Sequence, residues 1–305
     1  MPDQNLCVVT GAFGFSGRYI AKRLVETDHR VITLSNHPKS PNEFGDALSV
    51  RPYDFDKPDE LAESMRGASV LFNTYWIRFE HFGMTFAKAV QNSINLIKAA
   101  EQAGIQRIVH LSVANPSLDS LIPYYRGKAE VELAIRNSSL SYAILRPITI
   151  FGDQGILINN IAWFLRHLPV LGIPGNGEYQ MQPIYVEDLA ELAVKAAQQD
   201  ENLMFDAIGP EIFTFNDLLK LIGEIVQSKS ILIHLPPKLA LLATSALGCY
   251  LHDVVLTNDE VKGLLANLLV SDQPPAGSTR LSEWLRSNSD WIGTRYMSEL
   301  QKHYG

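Results

Sequence analysis

With 305 residues, 46% of them hydrophobic and 19% charged, the chain can bury a large core and has the make-up of a globular protein. A net charge of −7 without any basic block excludes a broad nucleic-acid surface, and two cysteines, Cys7 and Cys249, exclude a disulfide framework. No segment reads as a signal peptide and no apolar run is long enough to span a membrane. The expectation is a cytoplasmic protein, monomeric or homodimeric, acting on a small molecule.

An apolar run over 6–9 predicts a first buried strand. It meets Gly11, Gly14 and Gly17 at three-residue spacing, and 16–26 then follow a helical period with Ile20, Leu24 and Val25 on one side. Strand, glycine turn and helix in this order form a phosphate cradle. The glycines let the backbone turn tightly and approach a diphosphate, and the amides at the helix start point at it. Thr10, Gly11, Phe13, Gly14, Phe15 and Gly17 are therefore candidate dinucleotide contacts.

Further strands are predicted over 31–34, 69–72, 107–111 and 142–145, with helices over 61–66, 84–103 and 124–136 between them. Ala103 and Gly104 form a helix-end signal before the next strand. This alternation predicts right-handed β-α-β units on a parallel sheet. After Arg146 and Pro147 the texture changes. Helices are expected over 156–171, 187–198, 215–226, 238–251, 259–269 and 281–291, a Pro/Gly-rich loop over 172–177, and a late strand over 203–207. The expected fold is α/β: a Rossmann doubly wound parallel sheet in 1–152, to which 184–208 return, and a smaller, mostly helical substrate lobe from 153–183 and 209–305. The apolar stretch 238–251 reads as a core helix of that lobe. Peripheral membrane attachment is the alternative, and the absence of a basic polar face argues against it.

The residue ending the second strand distinguishes the two nicotinamide dinucleotides, because an acid there accepts from a free 2′-hydroxyl and repels a 2′-phosphate. Here Ser35 and Asn36 occupy that place, no acid is present, and Arg18 stands one residue past the last glycine. NADP is thus expected ahead of NAD, unless Ser35 and Asn36 merely open a turn before Pro38. Asp54 and Phe55 follow the third strand and are candidates to bracket the adenine, the alternative being a helix start before Pro58.

Tyr124 and Lys128 lie four residues apart at the start of a predicted helix, on one face. An ammonium beside a phenol favours the phenolate and makes the tyrosine a usable general acid or base, and the lysine can also hold the ribose hydroxyls. Tyr125, three before the lysine, is the weaker candidate. Tyr75, Trp76 and Arg78 follow the fourth strand, where they either face the ligand or pack loops together. Asp188 reads as a helix cap. The eight histidines show no metal-ligand spacing.

The run Thr10, Gly11, Ala12, Phe13, Gly14, Phe15, Ser16, Gly17 resembles the TGxxGxxG signature of extended and atypical short-chain dehydrogenases/reductases. Tyr124 and Lys128 resemble that superfamily's YxxxK pair. Arg146 with Pro147, and the run from Gln182 to Asp188, match further, so the likeness covers roughly 5–210, as in the NAD-dependent epimerase/dehydratase family. The nearer likeness is to its atypical branch, which includes the nucleotide-binding accessory subunit of respiratory complex I.

The resemblance implies hydride transfer between a nicotinamide and a carbinol or carbonyl carbon, with Tyr124 moving the proton and Lys128 tuning it. It places Asn73 and Pro147 among the cofactor contacts. It also calls for a hydroxyl past the strand before the tyrosine helix, which Ser112 either supplies or, standing one or two residues early, replaces with a strand-end cap. Val113 and Ala114 occupy the usual register. Asn95 matches a helix asparagine of the family or is a polar surface residue. Two functions follow as expectations: an NAD(P)-dependent oxidoreductase or epimerase, or a protein of this fold that binds NADP(H) without turnover.

Overall fold

In the computed structural model, residues 3–35 and 42–304 are described. The elements run, in chain order, β1 (Asp3–Thr10), α1 (Phe15–Glu26), β2 (Arg30–Leu34), β3 (Leu48–Arg51), α2 (Pro58–Met65), β4 (Ala68–Asn73), α3 (Phe86–Ala103), β5 (Arg107–Leu111), α4 (Pro123–Arg136) and β6 (Ser141–Leu145). Then come β7 (Thr149–Phe151), α5 (Ile156–His167), β8 (Val170–Pro174), β9 (Gln180–Met181), β10 (Pro183–Tyr185), α6 (Val186–Ala197) and β11 (Leu203–Phe205). The remainder is β12 (Phe213–Thr214), α7 (Phe215–Ile225), β13 (Ile231–Leu235), α8 (Pro237–Leu251), α9 (Asn258–Leu265), α10 (Leu281–Ser287) and α11 (Glu299–Tyr304). Two compact units result, Met1–Pro147 with Val186–Ala207, and Ile148–Tyr185 with Ile208–Gly305.

The first unit holds a seven-stranded sheet in the order β11-β6-β5-β4-β1-β2-β3. Every pairing in it is parallel. Chain direction across the sheet reverses between β1 and β4, which is where doubly wound sheets open a crevice at their carboxyl ends. Strands read as continuous apolar runs because helices cover both faces. Leu71, Ile108 and Ile144 from the sheet pack with Leu61, Leu96 and Ile135 from α2, α3 and α4, each contributing roughly 1.5–3 kcal/mol by its removal from water. On the α1 and α6 side, Lys22 pairs with Glu187 and Arg23 with Glu191. Gly104 ends α3 in the left-handed conformation at φ 82°, as its position predicts. Burial pushes the Cys7 thiol up to about 12, so it stays protonated inside β1.

The second unit is mostly helical, with three two-stranded pieces: β7 with β10, β9 with β12 and β8 with β13. The expected helix over 156–171 stops at His167. Pro169 disfavours helical backbone in the residue before it, and Val170–Pro174 continues as a strand where 172–177 reads as loop. Its partner β13 is likewise not anticipated by the periodicity. Ile231 aligns with Val170 and Leu235 with Pro174. Helix α8 is not a core helix, since only Ala240 and Gly248 of its residues are buried.

The chain end is tied to this unit by Asp253. Its Oδ2 accepts from the Tyr296 hydroxyl at 2.7 Å and the Glu299 amide at 2.9 Å, and its Oδ1 from the Leu300 amide at 3.0 Å. Burial would raise this carboxyl, but the hydrogen bonds from Tyr296, Leu300 and Glu299 outweigh it and hold the group below the ordinary carboxylate range. Asp253→Ala should lower stability by about 1–2 kcal/mol. A carboxyl depressed in the folded state stabilises above its unfolded value and loses that contribution as pH falls through the folded one. Thermal melts of wild type and variant should therefore converge in acid; a gap unchanged at low pH would contradict the role given to the carboxylate.

Candidate nucleotide site

The turn after β1 is built by close approach. Gly11 has φ +69°, and the Gly14 amide donates to the Gly11 carbonyl at 2.8 Å. A Cβ at Gly17 would stand 2.2 Å from that same carbonyl oxygen, so only glycine lets α1 start so near the turn. Gly14 caps α1 without any side-chain hydrogen bond, leaving the positive end of the helix dipole to an anion. Neighbouring strands hold the turn. Thr33 Oγ1 donates to the Val9 carbonyl at 3.0 Å and accepts from the Ala12 amide at 3.1 Å. Thr10 Oγ1 accepts from the Thr74 and Tyr75 amides at 2.7 and 3.1 Å, while Thr74 Oγ1 donates to the Thr10 carbonyl. Thr33 and Thr74 escape sequence reasoning because their role depends on strand pairing and not on local pattern. The cradle fits a dinucleotide diphosphate.

Other predicted contacts are dispersed around this turn. Phe13 and Phe15 are half-buried, and Phe15 meets Tyr19 edge-on. Asn73 ends β4 fully buried, with Oδ1 accepting from the Tyr75 amide at 3.0 Å and Nδ2 lacking a hydrogen-bond partner among the described residues. Ser35 donates its amide to Arg51, and Asn36 lies outside the described residues. Arg18 makes a two-point ion pair with Glu43. Asp54 accepts from the Asp56 amide at 2.9 Å in a local turn. Phe55 stands between Tyr53 and Tyr75 in a row of rings, at centroid distances of 4.9 and 4.8 Å. Asn95 reaches that loop, donating to the Phe55 carbonyl at 2.9 Å. Arg78 lies over the Phe79 ring.

Tyr124 and Lys128 both project from the first turns of α4, but their surroundings differ. Tyr124 is half-buried, its ring meeting Trp76 and Phe86 edge-on at 6.1 and 5.9 Å. Lys128 is only 3% exposed. Its Nζ donates to the Leu111 carbonyl at 2.8 Å and lies 4.7 Å from the centre of the Trp76 ring. Gly127 makes room for that indole, because a Cβ there would approach it to 3.0 Å. Ser112 is buried with its amide on Leu145 and its hydroxyl without a hydrogen-bond partner among the described residues. Pro147 is buried, its carbonyl accepting from the Ala114 amide at 3.1 Å.

Charge is scarce where Lys128 points. The carboxylate one turn along α4, Glu132, is committed to Arg146 through two hydrogen bonds of 2.9 and 2.5 Å. Burial takes the Lys128 ammonium down to about 7, against the pull of Glu132. Burial and then the charge of Lys128 hold His110 well below the usual imidazole range.

A family model described as NAD(P)H-binding matches residues 11–200, and so spans the glycine turn, the Tyr124 and Lys128 helix and the returning segment. The chain belongs to the NAD(P)H-binding family. Its doubly wound parallel sheet is the fold that such a dinucleotide-binding chain calls for. Among the relatives of this NAD(P)H-binding chain is the mitochondrial NADH dehydrogenase [ubiquinone] 1 alpha subcomplex subunit 9 of Arabidopsis thaliana, 26% identical over 88% of this chain and 71% of that protein. The same-named protein of Mus musculus is 26% identical over 71% of this chain and 60% of its own length. A UDP-N-acetylglucosamine 4-epimerase from Methanobrevibacter ruminantium superposes with a TM-score of 0.67 at 20% identity, covering 95% of this chain and 98% of the other. A UDP-glucuronic acid 4-epimerase from Bacillus cereus in complex with NAD gives 0.67 at 18% identity, over 96% and 100%.

A lysine with a folded value below its unfolded one binds fewer protons when folded, from about pH 7 up to the ordinary amine range. Stability should therefore rise with pH across that window, by up to about 1.4 kcal/mol per pH unit. Denaturant titrations at neutral and alkaline pH should show this rise in wild type and not in Lys128→Met. Parallel pH profiles for the two proteins would mean that Lys128 is solvated and fully charged.

Proposed function

We propose that this chain holds NAD(P)(H) as a bound group and does not use the Tyr124, Lys128 and Ser112 set for hydride transfer. The observation that carries this is the Lys128 ammonium, buried and spent on the Leu111 carbonyl beneath the Trp76 ring. A lysine that clamps ribose hydroxyls needs an open face toward the nucleotide, and Lys128 is buried with its amine turned to the Leu111 carbonyl. A bound nicotinamide supplies hydride chemistry; the residues here supply a diphosphate cradle and an aromatic wall. The names of the relatives, subunits of a larger assembly, support the same reading.

Catalysis is the second reading, an oxidoreductase or epimerase with Tyr124 as general acid or base. It is favoured by the half-buried Tyr124, one helical turn from Lys128 as the chemistry requires. The choice of NADP over NAD belongs to the proposal too. It rests on the absence of an acid at Ser35; the Arg18–Glu43 pair opposes it, since a 2′-phosphate would have to draw Arg18 from Glu43. A cytoplasmic location and a monomeric or homodimeric state complete the proposal.

Native mass spectrometry of the purified protein tests both parts, because the extra phosphate separates the two nucleotides by mass. The expected spectrum shows a nucleotide retained equally by wild type and Tyr124→Phe, with no absorbance change when carbonyl compounds or nucleotide sugars are added. Turnover in wild type that is lost in Tyr124→Phe would overturn the holding role.

A further inference from the structure

Helix α8 has one charged side chain, Lys238, in its 15 residues. Leu239 is 52% exposed, Leu242 68% and Tyr250 78%, so these three large apolar side chains stand in water. The strand just before it behaves alike, with Ile231 63% exposed. Leu239, Leu242 and Tyr250 share one face of the helix, and an apolar face of this kind left in water marks a surface that something covers.

The charge of this region tells what that cover is. Between Glu224 and Asp253 no acidic residue occurs, although the chain carries 33 and a net charge of −7. The same stretch contains Lys229 and Lys238, both exposed, and Lys238 sits at the positive pole of the helix dipole. A second copy of this stretch would bring two more lysines and no acidic residue to pair with them. An anionic bilayer meets both demands, taking the apolar side chains into its interface and the lysines onto its headgroups. No helix among the described residues is long and apolar enough to cross a membrane. A surface arrangement, with the helix axis parallel to the bilayer, is therefore the one available.

We propose that α8, with the end of β13, is a docking surface for an anionic lipid bilayer. The basic polar face that interfacial helices usually carry is replaced here by lysines at the start of the helix and before it. This inference stands on the second unit alone and does not depend on what the nucleotide does.

Flotation of the full chain with vesicles of phosphatidylcholine, with and without phosphatidylglycerol, is the test. The protein should float with phosphatidylglycerol vesicles, less with phosphatidylcholine alone, and less again in high salt. Leu239→Glu and Leu242→Glu should each lower partitioning about tenfold or more, with unchanged melting temperature and nucleotide retention. Lys238→Glu should weaken only the phosphatidylglycerol component. Absence of flotation with either vesicle, or flotation indifferent to Leu242→Glu, would overturn the proposal. A dimer that Leu242→Glu dissolves, without vesicle binding in wild type, would overturn it in favour of a second copy.

Discussion

The approach of α1 to the turn after β1 is the constraint from which the first unit is organised. Gly17 stands so close to the Gly11 carbonyl that any side chain would push the helix off the strand end. With the helix seated there, its dipole and the turn amides converge at the point where β2 leaves on one side of β1 and β4 on the other. Threonines from both neighbours then lock the loop, Thr33 from β2 and Thr74 from the end of β4. Strand order, glycine spacing and anion binding are thus one arrangement seen at three scales.

A second arrangement decides what the cradle can do. Arg146 after β6 takes both oxygens of Glu132, while the Lys128 amine folds back on the end of β5. Trp76, from the loop after β4, closes over it. Lys128, Arg146 and Glu132 thus make their polar contacts within the protein.

How much of this was legible in the chain follows from the range of the interactions. Strands β1, β2, β4, β5 and β6, the helices between them and the glycine turn are written in local periodicity and turn chemistry. The β8–β13 pair is not, because β8 is short, follows a proline and draws its partner from far along the chain. Tyr124 and Lys128 were legible as a pair on one helix face. The direction of the Lys128 side chain was not, since it is set by Trp76 and Leu111 on other elements. Ser112 follows β5 directly, and whether its hydroxyl meets a ligand is a matter of space and not of spacing. For α8, composition identifies the helix without distinguishing the interior from the surface.

These features make a dinucleotide cradle with an inward-turned lysine the centre of the account. A crystal structure of the chain with NADPH bound tests it most directly. The account predicts the diphosphate against the turn of Gly11, Gly14 and Gly17, with Lys128 Nζ still on the Leu111 carbonyl. Lys128 found on the nicotinamide ribose hydroxyls, with the Tyr124 hydroxyl beside the reactive ring carbon, would contradict it.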